Sequence, residues 1–526
     1  MQINKFKQFL IFAIICSITS SIDAQISNLG EPRSFSEKLA NLQKVPIVSM
    51  PDFDLKSLLA EDSIRESLGL KSARFAKSFN VDIDVKSKGL KEMLKDSSNI
   101  WRLCIKSSKA YSLNVIFNDY ILPPNAEVYI YSIDKVNKIG AFTNINNHIS
   151  KRFATSPIKG EVVVVELHEP KNPAFSSHVT IGTVNHDYKD IFNMLNKRGV
   201  CCGYNQSGTC ENDINCAIGS NWQQEKHSVC RIIINGTGYC TGSLINNTNN
   251  DGRLLLVTAN HCYEDYSDLN AAANNSIFYF EYESPSCNGG DGLTTNSISG
   301  ATYRANWANS DFFLEELNSR PGGENLYFEG WDRNNNAASN ETGIHHPLGD
   351  VKKISTSSNA LTSTAWSSNT INTSANHWRI VWSSGVTEGG SSGSPLYNQD
   401  HLVVGQLHGG GSSCTATTSP DWYGKLFSSW TGAGTSSTRL SNWLDPIGSN
   451  VTTLNGISQI QILPTNCHVT NIQNQTFNSG ASYTDCGINV TNVTIQNNSN
   501  LNLNGTTKVI INGPFTVQPG STLTVQ

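Results

Sequence analysis

From Val81 onward the chain consists of short stretches in which apolar and polar residues alternate, broken every few residues by glycine, asparagine or proline. Trp101-Arg102-Leu103-Cys104-Ile105, Leu113-Asn114-Val115-Ile116-Phe117, Ala126-Glu127-Val128-Tyr129-Ile130-Tyr131 and the run from Glu161 to Leu167 show the pattern. A period of two belongs to strands, whose successive side chains reach opposite faces, and Pro123-Pro124-Asn125 and Pro170-Lys171-Asn172-Pro173 read as turns between them. With 41 glycines and 15% charged residues in 526, coiled coils, helical repeats and bulk disorder are disfavoured, and an all-β chain of two to four domains is expected. A net charge of −5 argues against a general nucleic-acid binder. Residues 26–80 read differently, as helical and loose, with Phe35-Ser36-Glu37-Lys38-Leu39 and Ser57-Leu58-Leu59 set among polar residues.

The chemistry of the chain changes near residue 200. Residues 1–200 hold 20 Lys and 6 Arg against 20 Asp and Glu, a net +6. Residues 201–526 hold 5 Lys and 7 Arg against 23 Asp and Glu, a net −11, together with 11 of the 13 cysteines. The two pieces meet at the basic segment Asn196-Lys197-Arg198-Gly199-Val200. At the N-terminus, Lys5 and Lys7 precede an apolar run from Phe9 to Ile15, and small polar residues lead to Ala24-Gln25. That three-part pattern is a cleaved export signal, and the run falls short of the roughly 20 apolar residues a membrane span needs. Export makes disulfides the natural reading of the cysteines.

The expected organisation is a signal peptide (1–24), a β-sandwich-like propeptide (25–198), a piece that carries the chemistry (199–450) and a short β-repeat tail (451–526). In the tail, apolar pairs recur at i, i+2: Val493/Ile495, Leu501/Leu503, Val509/Ile511, Phe515/Val517 and Leu523/Val525. Short strands stacked as a solenoid or a small sheet fit that spacing.

Three segments of the third piece matter together. Leu254 to Val257 is an apolar strand running into Thr258-Ala259-Asn260-His261-Cys262; Ser310-Asp311 opens the apolar run Phe312-Phe313-Leu314; Glu388 to Leu396 contains Gly390-Ser391-Ser392-Gly393-Ser394-Pro395. Alone, each has a bland reading: a structural His, a capping Asp, a Gly/Ser loop. In the order His, Asp, Ser they supply what acyl transfer needs. A serine hydroxyl is a weak nucleophile until an imidazole takes its proton, and the imidazole needs a carboxylate to fix its tautomer. Glycines beside the serine let backbone N–H groups converge on an oxyanion. The G-x-S-G-x-P pattern makes Ser392 the nucleophile, with Gly390 and Ser392 N–H as the oxyanion hole.

These residues resemble the bacterial lysyl endopeptidases, serine proteases of the chymotrypsin fold. The similarity extends through Cys240 to Asn246, Gly330-Trp331-Asp332-Arg333, Ile344-His345-His346-Pro347, Gly405 to Gly410, Ser429-Trp430-Thr431-Gly432 and Arg439 to Pro446. The resemblance implies a double β-barrel and a secreted enzyme that cuts after Lys, and after Arg as the wider alternative. It implies His261, Asp311 and Ser392 as the triad, Asp421 as the acid that binds the substrate's ammonium, and Trp366 with His408 beside the catalytic His. It pairs Cys240 with Cys262, Cys210 with Cys414 and Cys216 with Cys287; a link from Cys230 to Cys201 or Cys202 and a Cys467–Cys486 staple are further expectations. No cofactor or metal is expected, because no cluster around His345-His346 has ligand spacing. The expected partners are peptide substrates and the chain's own propeptide as inhibitor, around a monomer without a transmembrane anchor. The five lysines after residue 200 favour Lys over Arg, since an enzyme cutting after lysine gains lifetime by carrying few. Ser391 stands where trypsin carries the acid that pairs with its new N-terminus, so release of the propeptide is the expected activation. The rival reading is a non-catalytic surface adhesin acting through the tail.

Overall fold

A computed structural model describes residues 30–67, 73–192, 203–323, 325–459 and 469–525. The signal sequence, the Lys197-Arg198 segment and Cys201, Cys202 and Cys467 lie outside the described residues.

Residues 30–192 form two facing sheets. One is built around Asn99–Lys106, Val162–Glu169 and Glu127–Ser132, the other around Ser112–Ile121, His178–Asp187 and Ala76–Asp84. Leu103, Ile105, Val163 and Val165 point into the core between the sheets. Their neighbours Cys104 and Val164, with Tyr129 and Tyr131, face the other way onto Phe35, Leu42 and Val45. Burial on both faces explains why Val162 to Val165 is continuously apolar rather than alternating. The loose helical reading of residues 26–80 holds in part: among the described residues Ser57-Leu58-Leu59 lies in the helix Leu55–Ser67, Phe35-Ser36 in the single turn Arg33–Ser36, and Leu42–Lys44 is a further short turn. Much of the segment is extended against the sheet: Ile47–Ser49 pairs with Asn99–Lys106, and Phe35 packs edge-on against Tyr131.

Residues 203–459 hold two further large sheets, mostly antiparallel, and one two-stranded sheet. The first runs in the order Ser297–Ser299, Ile277–Phe280, Val229–Ile234, Gly238–Leu244, Leu255–Ala259, Phe312–Leu317, Ala301–Trp307. The second includes Lys353–Ser357, Glu341–His345, Pro395–Tyr397, Val403–Gly410, Asp421–Lys425 and His377–Ile380. Each has its own core: Ile232, Leu256, Phe278 and Phe313 in the first, Trp378, Leu396, Leu407 and Tyr423 in the second. A third cluster joins them, with Leu255, Val257, Phe312 and Leu314 from one sheet meeting Ile344, Ile354, Tyr397 and Val403 from the other. The run Leu254 to Val257 is apolar because alternate residues serve the inner core and this seam. Thr453–Leu454 and Ile457–Ser458 pair with Trp331–Asp332 and Tyr327–Phe328, so the β-structure continues past residue 450.

Residues 469–525 form a four-stranded parallel sheet. Leu501/Leu503 lies against Leu523/Val525, and Val493/Ile495 against Phe515/Val517. Neighbours in space are therefore 18 to 22 residues apart in sequence, a longer step than the recurrence of the apolar pairs suggested.

One buried acid gives a test. Glu315 is fully buried on the Phe312–Leu317 strand, and both its oxygens accept from the Tyr263 hydroxyl, at 3.2 and 3.1 Å. Burial, opposed by that hydrogen bond, pushes its pKa up to about 8 from the usual 4.5. Between those values the unfolded chain has released the proton and the folded chain keeps it, so stability falls as pH rises through that window. The slope from this group is up to about 1.4 kcal/mol per pH unit. Glu315→Gln is expected to remove that slope, seen in urea midpoints measured from pH 5 to pH 8 beside the parent chain; parallel curves for the two would contradict the assignment.

Candidate active site

The expected catalytic residues come together at the seam between the two sheets. His261 sits in the single turn Asn260–Cys262 that ends the buried Leu255–Ala259 strand, and Cys262 is bonded to Cys240 on the neighbouring strand. Asp311 precedes the Phe312–Leu317 strand in a left-handed conformation (φ +58°). One carboxylate oxygen accepts the His261 backbone N–H at 2.9 Å and the other accepts Nδ1–H at 2.8 Å. The Asn260 N–H donates to the Asp311 carbonyl at 2.7 Å, and across the seam Gln406 Nε2 donates to the Ser310 carbonyl at 2.7 Å. Nε2 of His261 lies 2.7 Å from Ser392 Oγ. Burial alone would raise the Asp311 carboxyl; attraction to His261 and His408 and the hydrogen bonds from His261 outweigh it and hold it below the usual range.

The Ser392 loop is clamped to the first sheet. Thr241 donates its N–H to the Ser392 carbonyl at 2.8 Å and its hydroxyl to the Gly390 carbonyl at 2.8 Å. Gly393 must be glycine: at φ +83° a Cβ would lie 2.2 Å from Thr258 Oγ1. The N–H groups of Ser391 and Gly393 donate to Glu388 and Leu407 carbonyls. Those of Gly390 and Ser392 donate to no acceptor among the described residues, which leaves them free for an oxyanion beside Ser392 Oγ. Ser391 Oγ is engaged elsewhere, 2.8 Å from Nδ1 of the buried His345.

His408 stacks on Trp366 with ring centroids 3.6 Å apart and lies 5.5 Å from the His261 ring, its Nε2 3.9 Å from an Asp311 oxygen. A residue that sequence reasoning missed completes this line: His377 Nε2 is 2.9 Å from His408 Nδ1. Burial pushes His408 down to about 4 and His377 to about 3, so both rings are neutral near pH 7. The tautomer that points N–H from His408 Nε2 at the Asp311 carboxylate makes His377 the donor to His408 Nδ1.

Asp421, at the start of the Asp421–Lys425 strand, is fully buried. One oxygen accepts Trp382 Nε1–H at 2.8 Å, the Thr387 hydroxyl at 2.7 Å and the Ser412 hydroxyl at 2.5 Å; among the described residues the other accepts only the Ser412 N–H, at 3.2 Å. Trp382, Thr387 and Ser412 carry no spacing signal and were not expected. Beside this acid a Cβ on Gly410 would lie 2.2 Å from its oxygen, so glycine keeps the approach open. The bonded pairs Cys210–Cys414, Cys216–Cys287 and Cys240–Cys262 are all present. Cys104 and Cys230 are free and buried. Cys230 points into the first sheet's core, which overturns the expected link to Cys201 or Cys202.

Residues 204–424 match the family described as lysyl endopeptidase, C-terminal domain. A lysyl endopeptidase of Pseudomonas aeruginosa is 30% identical over 292 residues, which is 52% of this chain and 60% of that protein; the similarity thus spans less than two thirds of the relative. Among solved structures, the protease Anisep from Arthrobacter nicotinovorans is similar at 16% identity with a TM-score of 0.29, over 41% of this chain and 93% of its own. A thermostable serine protease from an extremophilic microorganism is similar at 14% identity with a TM-score of 0.28, over 38% and 92%. Residues 204–424 are thus similar to the lysyl endopeptidases.

The His377–His408 pair has a spectroscopic consequence. Neither ring is expected to titrate between pH 5 and pH 8 in histidine C2–H spectra. His377→Ala, by admitting water, is expected to move the His408 titration upward toward 6.5 by at least one pH unit. A His408 that already titrates near 6.5 in the parent chain would contradict the buried neutral pair.

Proposed function

We propose that this chain is the precursor of a secreted serine endopeptidase that hydrolyses peptide bonds on the carboxyl side of lysine. The observation that carries the reading is the unbroken hydrogen-bonded line from Ser392 Oγ through both nitrogens of His261 to the buried Asp311 carboxylate. The lysyl endopeptidase-like match over the same residues, the three disulfides and the N-terminal export pattern support it.

In the reaction, Ser392 Oγ attacks the carbonyl carbon while its proton passes to His261 Nε2. Asp311 holds Nδ1–H and stabilises the imidazolium that forms, without itself taking the proton. The negative charge on the carbonyl oxygen falls to the Gly390 and Ser392 N–H groups; one such donor is worth about 3–4 kcal/mol of barrier. Collapse breaks the C–N bond, and His261 returns the proton to the leaving amine. Water then attacks the acyl-enzyme by the same path, releasing the new carboxylate and restoring Ser392. Trp366 and His408 back the ring of His261, and His377 positions His408.

Asp421 supplies the selectivity. Among the described residues no cation pairs with it, and its neutral donors crowd one oxygen. The other oxygen, with a single N–H donor, suits a compact ammonium; the planar fork of arginine seeks both oxygens at once. The scarcity of lysine after residue 200 points the same way.

Digestion of a denatured protein mixture, with mass spectrometry of every cut bond, tests both parts. The mature form is expected to cut almost only after Lys. Ser392→Ala is expected to lose on the order of 10⁶-fold in rate, and Asp421→Asn about 10²–10³-fold in kcat/KM on lysyl bonds, the loss typical of an abandoned buried charge partner. Cuts without regard to Lys would overturn the Asp421 assignment, and undiminished cutting by Ser392→Ala would overturn the nucleophile.

A further inference from the structure

The edge of the Gly238–Leu244 strand is not empty. Ala73–Arg74, from the region expected to be propeptide, pairs with it in antiparallel register, Arg74 opposite Gly238 and Ala73 opposite Tyr239. The next two residues of the enzyme strand are Cys240, bonded to the cysteine that follows His261, and Thr241, whose N–H holds the Ser392 carbonyl. A chain lying on this edge from Arg74 to Ala73 is therefore running toward the nucleophile in its N-terminal direction. Ala73 and Arg74 therefore stand where the leaving side of a bond presented to Ser392 would lie.

The seat is built, not incidental. The Phe75 and Ala76 N–H groups donate to the Thr237 carbonyl at 2.8 and 3.1 Å. The Phe75 ring, fully buried, stacks on Tyr239 with centroids 4.8 Å apart. Asn114 Nδ2 donates to the Gly236 carbonyl at 3.0 Å, and the sandwich core runs on without a break into Ile233, Tyr239, Ile277 and Tyr279 of the enzyme. Arg65 pairs with Asp265, four residues past His261, at 2.6 Å. With this arrangement in place Ser392 is 0% and His261 2% exposed. The opposite net charges of the two halves suit the same association.

We propose that in the precursor Ala73–Arg74 holds the Gly238–Tyr239 edge as an added strand, and that the pro region inhibits by occupying this leaving side of the cleft. The proposal rests on the reading of Ser392 as nucleophile. Main-chain pairing to an exposed strand edge gives affinity with little demand on side chains. Inhibition is then relieved when the strand leaves, without any ion pair to a new N-terminus.

Two measurements on the full chain test this. In amide hydrogen exchange, Ser392→Ala is compared with Ser392→Ala/Ala73→Pro, since proline removes the N–H and breaks the ladder. Amides of residues 237–240 are expected to exchange at least tenfold faster in the proline form, while those of residues 163–167 in the sandwich stay unchanged and report an intact fold. In the catalytic chain, Ala73→Pro precursor is expected to cut a lysyl peptide extended beyond the cut bond at least tenfold faster than the unsubstituted precursor, and Ala73→Gly, which keeps the N–H, to stay silent. Unchanged exchange at 237–240 would overturn the docking, and equal rates for the proline and glycine precursors would overturn inhibition by strand pairing. If the mature form cuts no lysyl peptide the endopeptidase reading fails instead, and the exchange comparison, which needs no catalysis, still decides the docking.

Discussion

The apolar seam between the two sheets of residues 203–459 is the constraint on which the site depends. His261 and Asp311 belong to the first sheet and Ser392 to the second. Val257, Phe312 and Leu314 on one side and Ile344, Tyr397 and Val403 on the other exclude water from the line of hydrogen bonds between them. Removing water strengthens every charge interaction along that line, and it makes an unpaired carboxylate there intolerable. Asp311 is accordingly held by two donors from a single residue, the ring and the backbone N–H of His261. The disulfide to Cys240 and the Thr241 clamp then fix the histidine turn and the serine loop to one strand. Packing and chemistry are the same structure seen from two sides.

The fold was legible where a residue type carries its own geometry. Alternating residues marked strands, and the order His, Asp, Ser marked three residues that the structure brings into one hydrogen-bonded line, beside a left-handed Gly393 required by Thr258. The three disulfides were legible only through the resemblance, since spacing alone does not pair cysteines. What stayed hidden depends on distant contacts. His377 is a lone histidine on a strand and gains meaning only from a ring 31 residues away. Trp382, Thr387 and Ser412 converge on Asp421 from two loops with no shared pattern. In the tail, the short recurrence of apolar pairs obscured the longer step by which strands stack. Near the N-terminus, apolar residues among polar ones suggested a loose helix, which holds for Leu55–Ser67, whereas Phe35 and Val45 are there to cover the outer face of a sheet.

The two halves of the chain differ in charge and cysteine content because they answer different demands. Residues 30–192 have no bonded cysteine among those described and rely on a sandwich core that continues into Ile233, Tyr239, Ile277 and Tyr279. Residues 203–459 rely on three covalent loops, each worth about a few kcal/mol.

The central claim is that Ser392, and neither Ser391 nor Ser394, is activated by His261. A fluorophosphonate reacts only with a serine whose proton is being removed, so the mature protein is treated with one and the adduct is located by mass spectrometry. The expected result is stoichiometric modification of Ser392 alone, abolished by His261→Ala. An adduct on Ser391 or Ser394, or undiminished labelling of Ser392 in His261→Ala, would contradict the account.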